Sequence, residues 1–362
     1  MGAEITPACA WLRLSLIPGL TGVALRRLID ALGSPAAVLE NPRSALLRLV
    51  DPVLADAITR GPSPAHLNAA LSWASVPQQT ILVPDDRRYP VLLRESPDPP
   101  PVLYAAGRTE LLQLPAIAVV GSRNATAQGM RNAEDFARAF SEAGCCVVSG
   151  LALGIDAAAH RGGLSGCGSS IAVLGNGIDV LYPRRNATLS AQLMSHGLVL
   201  SEFALGTVPL PANFPRRNRV ISGISRGCLV VEAAIPSGSL ITARIAADLG
   251  RDVFAIPGSI HSPLTKGCHH LIKQGATLVE CAQDVLEELN IDAKTNAPRR
   301  ELADHDPQTT RILDALGHDP CSVDLLLART GLAVNQLLAA LTALEIRGHV
   351  STLADGRYQR ID

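Results

Sequence analysis

The chain has 362 residues, a length that suggests two or three domains. With 47 % hydrophobic residues and a mean hydropathy of +0.22, it can bury a large core. The net charge of −1 excludes a general attraction to nucleic acid, so any such binding needs local clusters of basic residues.

No apolar run approaches the roughly 20 residues that a membrane span requires, and the N-terminus does not resemble a secretory signal. The eight cysteines form no C-x-x-C pair, which argues against zinc ribbons and thioredoxin-like redox motifs. We therefore expect a soluble, cytoplasmic protein with reduced thiols, no membrane contact and no metal site.

The first domain is predicted to span residues 1–62, which have helical periodicity. Within it, "LIPGLTGVALRRLIDALGSPAAVL" places a Pro-Gly turn before an amphipathic helix. Such a turn can offer backbone N–H groups to a phosphate. A small helical bundle that needs glycine only for its backbone angles explains the turn equally well. Both interpretations stay open.

The main domain is predicted to span residues 63–290. From Pro62 to Pro101 the chain is rich in proline, and three consecutive prolines predict an irregular, rigid connection. Between Ala116 and Leu289, nearly continuous apolar runs alternate with helical stretches, a pattern typical of parallel strands buried on both faces. The strand candidates are "AIAVVG", "CCVVSG", "SIAVLG", "LVLSE", "CLVVEA", "DVFAIPG" and "ATLVE". This predicts a doubly wound α/β domain, which binds ligands beyond the carboxyl ends of its strands.

Residues 291–304 are predicted to be a linker, and residues 305–362 a winged-helix domain of three helices and a hairpin. From Glu301 to Asp362 there are nine acidic and five basic residues, a balance of −4. The expected recognition helix, "AVNQLLAALTALEIRG", carries one basic residue, Arg347. Major-groove readers hold phosphates with Lys or Arg, so a protein-contact role is favoured over DNA reading.

Small or polar residues follow most of the predicted strands, where a ligand would meet the sheet. They include Gly121, Ser122, Arg123, Ser149, Gly150, Gly175, Gly177, Asp179, Ser201, Glu202, Glu232, Ala233, Pro257 and Gly258. This distribution predicts a long crevice for the ligand.

Arginines make the expected crevice basic. No acidic residue lies between Phe203 and Val231, a stretch that contains Arg216, Arg217, Arg219 and Arg226. Together with Arg123, Arg184 and Arg185 they predict an anion groove, because guanidinium groups suit phosphate. The competing interpretation is that some of these arginines pair with Glu202, Glu232 or Asp179 and hold loops.

A further anion site is predicted at Ser237, Gly238 and Ser239, which precede the helix in "PSGSLITARIA". Simple N-capping by one of the serines needs no ligand, and both roles are compatible. Aromatic residues are only 3 % of the chain, and Tyr182 and Phe214 are the best-placed candidates to stack on bases.

Signs of catalysis are few. The chain lacks G-x-x-x-x-G-K-[ST] and H-E-x-x-H. Asp156 and His160 lie four residues apart on one helix face, which permits an acid/base pair. The favoured interpretation is that Asp156 caps that helix and orients His160. We therefore expect no catalytic residue, no cofactor and no enzymatic activity.

The central motifs resemble those of the DprA/Smf DNA-processing proteins. They are "VVGSRNATAQG", "SGLALGIDAAAH", "VLGNGIDVLYPRRN", "FPRRNRVISG", "VVEAAIPSGSLITA" and "GRDVFAIPG", in the family's order. The N-terminal segment is similar to that family's sterile-alpha-motif-like or helix-hairpin-helix domain, and the C-terminus to its winged helix. The resemblance implies an extended Rossmann-like, mostly parallel sheet with these two smaller domains.

The resemblance further implies that the protein binds and protects single-stranded DNA and loads the RecA recombinase onto it during natural transformation and recombination. It implies a homodimer formed through the Rossmann-like domain. The DNA residues carried over from the family are Gly121, Ser122, Arg123, Arg184, Arg217, Asn218 and Arg219. Gly150, Phe214, Ser237, Gly238 and Ser239 complete the predicted DNA site. Arg184 stands where relatives commonly have lysine, so the cation is kept with a different geometry.

Two other functions fit the sequence less well. The fold also resembles lysine-decarboxylase-like phosphoribohydrolases, whose P-G-G-x-G-T-x-x-E motif ends in a catalytic glutamate. This chain has Arg244 at that position, and no acid between Glu232 and Asp248. An NAD-dependent oxidoreductase would need G-x-G-x-x-G and a ribose-binding acid roughly 20 residues later, and that fingerprint is missing.

Overall fold

The computed structural model describes residues 7–291, 307–353 and 355–361. Six helices come first, and three of them begin after Thr21, Ser34 and Asp51, whose side chains each accept a backbone N–H three residues later. The apolar faces of the first five share one core, whereas Ala70 of the sixth packs in a core with residues of the central sheet. These helices confirm the predicted N-terminal helical region. The six are α1 (Pro7–Ser15), α2 (Gly22–Leu32), α3 (Pro35–Glu40), α4 (Arg43–Leu46), α5 (Pro52–Arg60) and α6 (Pro64–Ala74).

The central region is a nine-stranded sheet covered by helices. Its strands are β1 (Gln79–Leu82), β2 (Leu103–Gly107), β3 (Ala116–Val120), β4 (Cys146–Ser149), β5 (Ser170–Leu174), β6 (Leu198–Ser201), β7 (Gly227–Val230), β8 (Asp252–Ala255) and β9 (Thr277–Leu278). Its helices are α7 (Val91–Arg94), α8 (Ala127–Glu142), α9 (Ile155–Leu164), α10 (Ala187–His196), α11 (Asn213–Ile224), α12 (Gly238–Asp248), α13 (Lys266–Lys273) and α14 (Ala282–Glu288). Two short 3₁₀ helices span Thr109–Gln113 and Arg184–Asn186.

The strand order is β1-β2-β6-β5-β4-β3-β7-β8-β9. β2 runs antiparallel to both β1 and β6, and every other described pair in this sheet is parallel. The seven predicted strands are confirmed as β3 to β9. The irregular connection predicted between Pro62 and Pro101 is wrong, because α6, β1 and α7 lie within it.

The sheet is buried on both faces, which explains the continuous apolar runs. In β3, Ala118 and Val120 join the core on one face, whereas Ile117 and Val119 join the core on the other. The strand order reverses beside β3. The strands β4, β5 and β6 extend the sheet on one side of β3, and β7, β8 and β9 extend it on the other side. In such sheets the crevice at this reversal, beyond the carboxyl ends of the strands, is the usual ligand site.

The C-terminal region has its own core, which includes Ile312, Leu326 and Leu341. It consists of α15 (Pro307–Leu316), α16 (Val323–Thr330), α17 (Val334–Ile346) and the antiparallel pair β10 (Val350–Thr352) and β11 (Tyr358–Arg360). Three helices and a hairpin confirm the predicted winged-helix outline. Most of the predicted linker, 291–304, lies outside the described residues.

Among the helices that the structure describes, none alone is long and apolar enough to cross a membrane. α16 and α17, bent by 111° at their junction, meet that test only when taken together and only by length and composition. Across the same described ranges, no group of three or more His, Cys, Asp or Glu side chains is arranged to hold a metal ion.

Candidate nucleic-acid interface

A cavity of about 540 Å³ opens at the point where the strand order reverses. Its walls come from the turn after β3, the loop after β4, the start of α11 and the start of α12. A smaller cavity of about 110 Å³ adjoins it, and the two share Arg123, Ala152, Tyr182, Phe214 and Arg217. The ligand crevice predicted from the strand ends is thus present, although it is compact rather than long.

Ten of the twelve predicted DNA-site residues line these two cavities. The larger one contains Gly121, Ser122, Arg123, Phe214, Arg217, Asn218, Ser237, Gly238 and Ser239, and the smaller one contains Gly150. Arg184 and Arg219 line neither of the two. Arg226, which was counted in the predicted groove, precedes β7 and therefore lies at the opposite edge of the sheet.

The rim of the cavity, defined here as Arg123, Tyr182 and Phe214, is polar and aromatic. The Arg123 guanidinium carbon is 5.3 Å from the Phe214 ring centroid, and the Tyr182 ring centroid is 5.9 Å from it. Arg123 is exposed, and no acceptor in the described ranges bonds to its guanidinium. This cation keeps its hydrogen-bonding capacity for a ligand while it packs over the aromatic ring.

We define the floor of the cavity as Gly150, Asp156 and Arg217, which line the larger or the smaller cavity, together with the buried His160 next to them, which lines neither. Arg217 is 5 % exposed, and its Nη1 donates to the carbonyls of Gly150 at 2.7 Å and Val173 at 2.5 Å. Asp156 accepts the backbone N–H groups of Gly150 at 3.1 Å and of Ala152 at 3.3 Å. These bonds hold the loop after β4 against α11.

Burial sets the ionisation of the floor. Burial lowers the pKa of Arg217 to about 10. The nearby Asp156 carboxylate acts to raise this pKa, and the Arg123 cation acts to lower it further. Burial raises the pKa of Asp156, and the Arg217 guanidinium and several hydrogen bonds oppose that rise. The pKa of His160 falls to about 3 through burial and, secondarily, through the cations Arg217 and Arg161. His160 is therefore a neutral imidazole at physiological pH.

The hydrogen bonds of His160 use both of its ring nitrogens. Nε2 accepts the Leu151 N–H at 3.2 Å, so the proton resides on Nδ1, which lies 2.7 Å from the Ser170 hydroxyl. The expectation that Asp156 orients His160 is wrong, because Asp156 bonds to the loop after β4 instead. This arrangement holds the histidine in the core and leaves it no free nitrogen for acid/base chemistry.

Arg216 and Arg219 bond to an internal carboxylate. The buried Glu202 accepts both guanidinium groups on Oε2, from Arg216 at 3.0 Å and from Arg219 at a shorter distance. Arg219 also donates to the Asp98 carbonyl and lies 3.4 Å from the Asp98 carboxylate. Burial raises the pKa of Glu202, and Arg219 and Arg216 oppose this rise. For these two arginines the loop-holding interpretation is confirmed, and Arg219 is not placed in the cavity.

The N-terminus of α8, where a dinucleotide fold takes its pyrophosphate, is filled by the protein's own carboxylate. Glu232 accepts the Thr126 N–H at 2.9 Å and the Thr126 hydroxyl at 2.6 Å. A Cβ on Gly129 would overlap the same carboxylate, so glycine is required there by this close approach. The turn after β3 therefore faces the cavity without using the helix end as a phosphate site.

The N-terminus of α12, by contrast, opens into the cavity. Ser237 and Ser239 hydrogen-bond to each other through their hydroxyls at 2.7 Å. Neither serine side chain caps the helix, so the N-capping interpretation is wrong. Gly238 lies between them with open space around its α-carbon. The unpaired N–H groups of this helix start face the same volume as Arg123.

Some cavity residues were missed in the sequence. Pro209 and Pro211 line the larger cavity from the loop between β6 and α11, and Ile221 and Thr242 line it from α11 and α12. The sequence signal was the pair of prolines interleaved with apolar residues in "VPLPA", shortly before the arginine-rich helix.

Fold and cavity together define a Rossmann-like protein in which Glu232 occupies the usual pyrophosphate position and Arg123, at the cavity, has no acceptor among the described residues. Residues 80–290 match the family model described as DNA recombination-mediator protein A, and residues 296–356 match the DprA winged helix domain. The chain belongs to the DprA/Smf family of DNA-processing, recombination-mediator proteins.

Individual relatives agree with this assignment. The chain is 40 % identical over 298 residues to protein Smf of Escherichia coli K12, covering 80 % of each chain. A solved structure of DprA from Streptococcus pneumoniae matches with a TM-score of 0.69 and 38 % identity, covering 79 % of this chain and 99 % of that one.

A solved structure of DNA processing protein A from Helicobacter pylori matches with a TM-score of 0.55 and 28 % identity. It covers 60 % of this chain and 97 % of the relative, and its description concerns that protein's single-stranded DNA binding mode.

Proposed function

We propose that this protein binds single-stranded DNA in the cavity at the strand reversal. The observation that carries the proposal is Arg123, an exposed guanidinium without a protein partner in the described chain, seated against Phe214 at the cavity mouth. A backbone phosphate supplies the acceptor that this guanidinium lacks, and Phe214 with Tyr182 offers rings to a base.

The residues proposed to form the site are Gly121, Ser122, Arg123, Gly150, Arg184, Phe214, Arg217, Asn218, Ser237, Gly238 and Ser239. Arg123 and Arg184 supply exposed cations, whereas the buried Arg217 belongs to the floor of the cavity. Arg219 is left out because Glu202 and Asp98 already occupy its guanidinium. Ser237, Gly238 and Ser239 offer the open start of α12 to a further phosphate.

In the cell, the proposed role is to bind and protect single-stranded DNA and to load the RecA recombinase onto it. This serves DNA uptake, natural transformation and homologous recombination in the cytoplasm. Membership of the DprA/Smf family and the H. pylori relative described by its single-stranded DNA binding mode support this role. A homodimer through the Rossmann-like domain would join two cavities and raise avidity.

The proposed role is to hold DNA without transforming it. Asp156 and His160, the one acid/base candidate found in the sequence, are both buried and both committed to structural hydrogen bonds. The site therefore relies on positive charge, backbone N–H groups and aromatic surface, which suit binding of many sequences equally.

The test is a titration of labelled single-stranded and double-stranded oligonucleotides of equal length across a salt series, with the protein's mass measured in solution. We expect preference for the single strand, an affinity that falls as salt rises, and a dimer mass. Equal or stronger binding of the duplex, or an affinity that does not respond to salt, would contradict the proposal.

A further inference from the structure

Four large apolar side chains project into solvent beside the cavity. We call Leu181, Tyr182, Val208 and Leu210 the apolar lip; they are 47, 40, 56 and 50 % exposed. Leu181 and Tyr182 come from the loop after β5, and Val208 and Leu210 from the loop after β6. A cluster of apolar surface at the mouth of a cavity is typical of an interaction site.

The two loops that carry the apolar lip are hydrogen-bonded to each other, and these bonds hold the lip in its exposed position. The Gly177 N–H donates to the Thr207 carbonyl at 2.9 Å. Both carboxylate oxygens of Asp179 lie 2.9 Å from the Gly206 nitrogen and accept its N–H. The lip is therefore held in place before any ligand arrives, which lowers the ordering cost of binding.

The lip continues directly into the cavity wall. Val208 and Leu210 alternate along the chain with Pro209 and Pro211, and both prolines line the cavity together with Tyr182. The fixed φ of each proline restrains the backbone that presents the two aliphatic side chains. The exposed apolar surface is thus an extension of the site and not an isolated patch.

Positive charge and apolar surface meet at Phe214. Its ring contacts the Arg123 guanidinium at 5.3 Å and the Tyr182 ring at 5.9 Å, so it lies between the basic part of the rim and the lip. A single DNA strand has the matching arrangement, with phosphates along one side of its sugars and apolar base faces on the other. In a duplex those base faces are stacked inside and cannot reach such a surface.

We propose that the apolar lip packs against the unstacked bases of the bound strand and thereby selects single-stranded over double-stranded DNA. This inference rests on the proposed function. It assigns phosphate affinity to Arg123 and base-dependent affinity to Leu181, Val208 and Leu210, residues that carry no charge and donate no side-chain hydrogen bond.

The test compares two single-stranded probes of about 16 units, an oligothymidylate and a chain of abasic tetrahydrofuran phosphates with the same charge. The variant is the double substitution Val208→Ser and Leu210→Ser, and the control is Val53→Ser, an exposed valine on α5 that is 80 % exposed. Because all three side chains are exposed, we expect the variants to fold as the parent does.

We expect the unaltered protein to bind oligothymidylate about tenfold more tightly than the abasic chain. The double variant should lose about fivefold in affinity for oligothymidylate and nothing for the abasic chain, with the salt dependence unchanged. Equal losses on both probes, or full retention of oligothymidylate affinity, would contradict the role of the apolar lip and leave the proposed function standing. Failure of the unaltered protein to bind either probe would instead overturn the proposed function.

Discussion

The floor and the rim of the cavity each place an arginine against the same ring, yet the two arginines have opposite roles. Arg217 lies 6.0 Å from the Phe214 centroid, is 5 % exposed and donates to two backbone carbonyls. Arg123 lies 5.3 Å from that centroid, is exposed and bonds to no described acceptor. Residue type alone therefore does not identify a DNA contact. What decides the role is whether the protein already satisfies the guanidinium.

Removing the floor arginine should have the largest effect, and it should fall on stability. Arg217→Met leaves the buried Asp156 carboxylate without its neighbouring cation and two carbonyls without their donor, so we expect a loss of about 3 kcal/mol in the free energy of unfolding. Denaturant unfolding measures this loss. The matched control, Arg216→Met, removes an arginine whose side chain is 55 % exposed and should cost under about 1 kcal/mol. Similar losses for the two variants would contradict the structural role assigned to the buried Arg217.

Reversing the charge of the rim arginine should affect DNA affinity and leave stability unchanged. Arg123→Glu replaces a free cation at the cavity mouth by an anion that repels phosphate, so we expect single-strand affinity to fall more than tenfold at moderate salt. Gel-shift titration measures the affinity and thermal unfolding checks the fold. Arg226→Glu makes the same charge change at the opposite edge of the sheet and should retain affinity within about threefold. An unaffected Arg123→Glu variant would refute the assignment of the site.

The floor also predicts a pH dependence of stability. The pKa of His160 is depressed to about 3 in the folded protein, so the unfolded chain takes up its proton first, near its usual pKa of about 6.5. Stability is therefore complete above that value and declines as pH falls below it, by about 1 kcal/mol between about pH 7 and pH 5.5. Unfolding at these pH values should show this decline, and His160→Gln should flatten it. An unchanged slope in the variant would assign the decline to other groups.

The smallest effect is expected from the winged-helix region. The stretch from Glu301 to Asp362, which includes this region, has a balance of −4, and α17 contains no basic residue, so the region has little attraction for phosphate. A chain lacking residues 305–362 should therefore bind single-stranded DNA within about threefold of the full chain, as measured by the same titration. A large loss would mean that this region, and not only the cavity rim, contacts DNA.

Much of the fold followed from local patterns, because β3 to β9 are buried on both faces and each produces its own apolar run. β1 and β2 were not predicted as strands, since the prolines that surround them are typical of irregular chain. The pairing of β1 with β2, and of β2 with β6, is a tertiary contact. The site residues were predicted from strand ends, and most of them do meet at the cavity.

The roles of the arginines could not be read from the sequence. Arg219 is 121 residues from its partner Asp98, and Arg217 is 67 residues from Gly150, so neither pairing leaves a local signal. His160 was assigned to Asp156 because of their helical spacing, whereas its partners are Leu151 and Ser170. Only the packed structure distinguishes a guanidinium that builds the site from one that is free to bind.

The central claim is that Arg123 contacts a phosphate of single-stranded DNA. The most direct measurement is the dependence of the logarithm of the binding constant on the logarithm of salt concentration, for the unaltered protein and for Arg123→Ala. Each phosphate contact on a single strand contributes about 0.7 to this slope, so the variant should have a slope smaller in magnitude by about that amount. A variant with weaker binding but an unchanged slope, or with unchanged binding, would contradict the account.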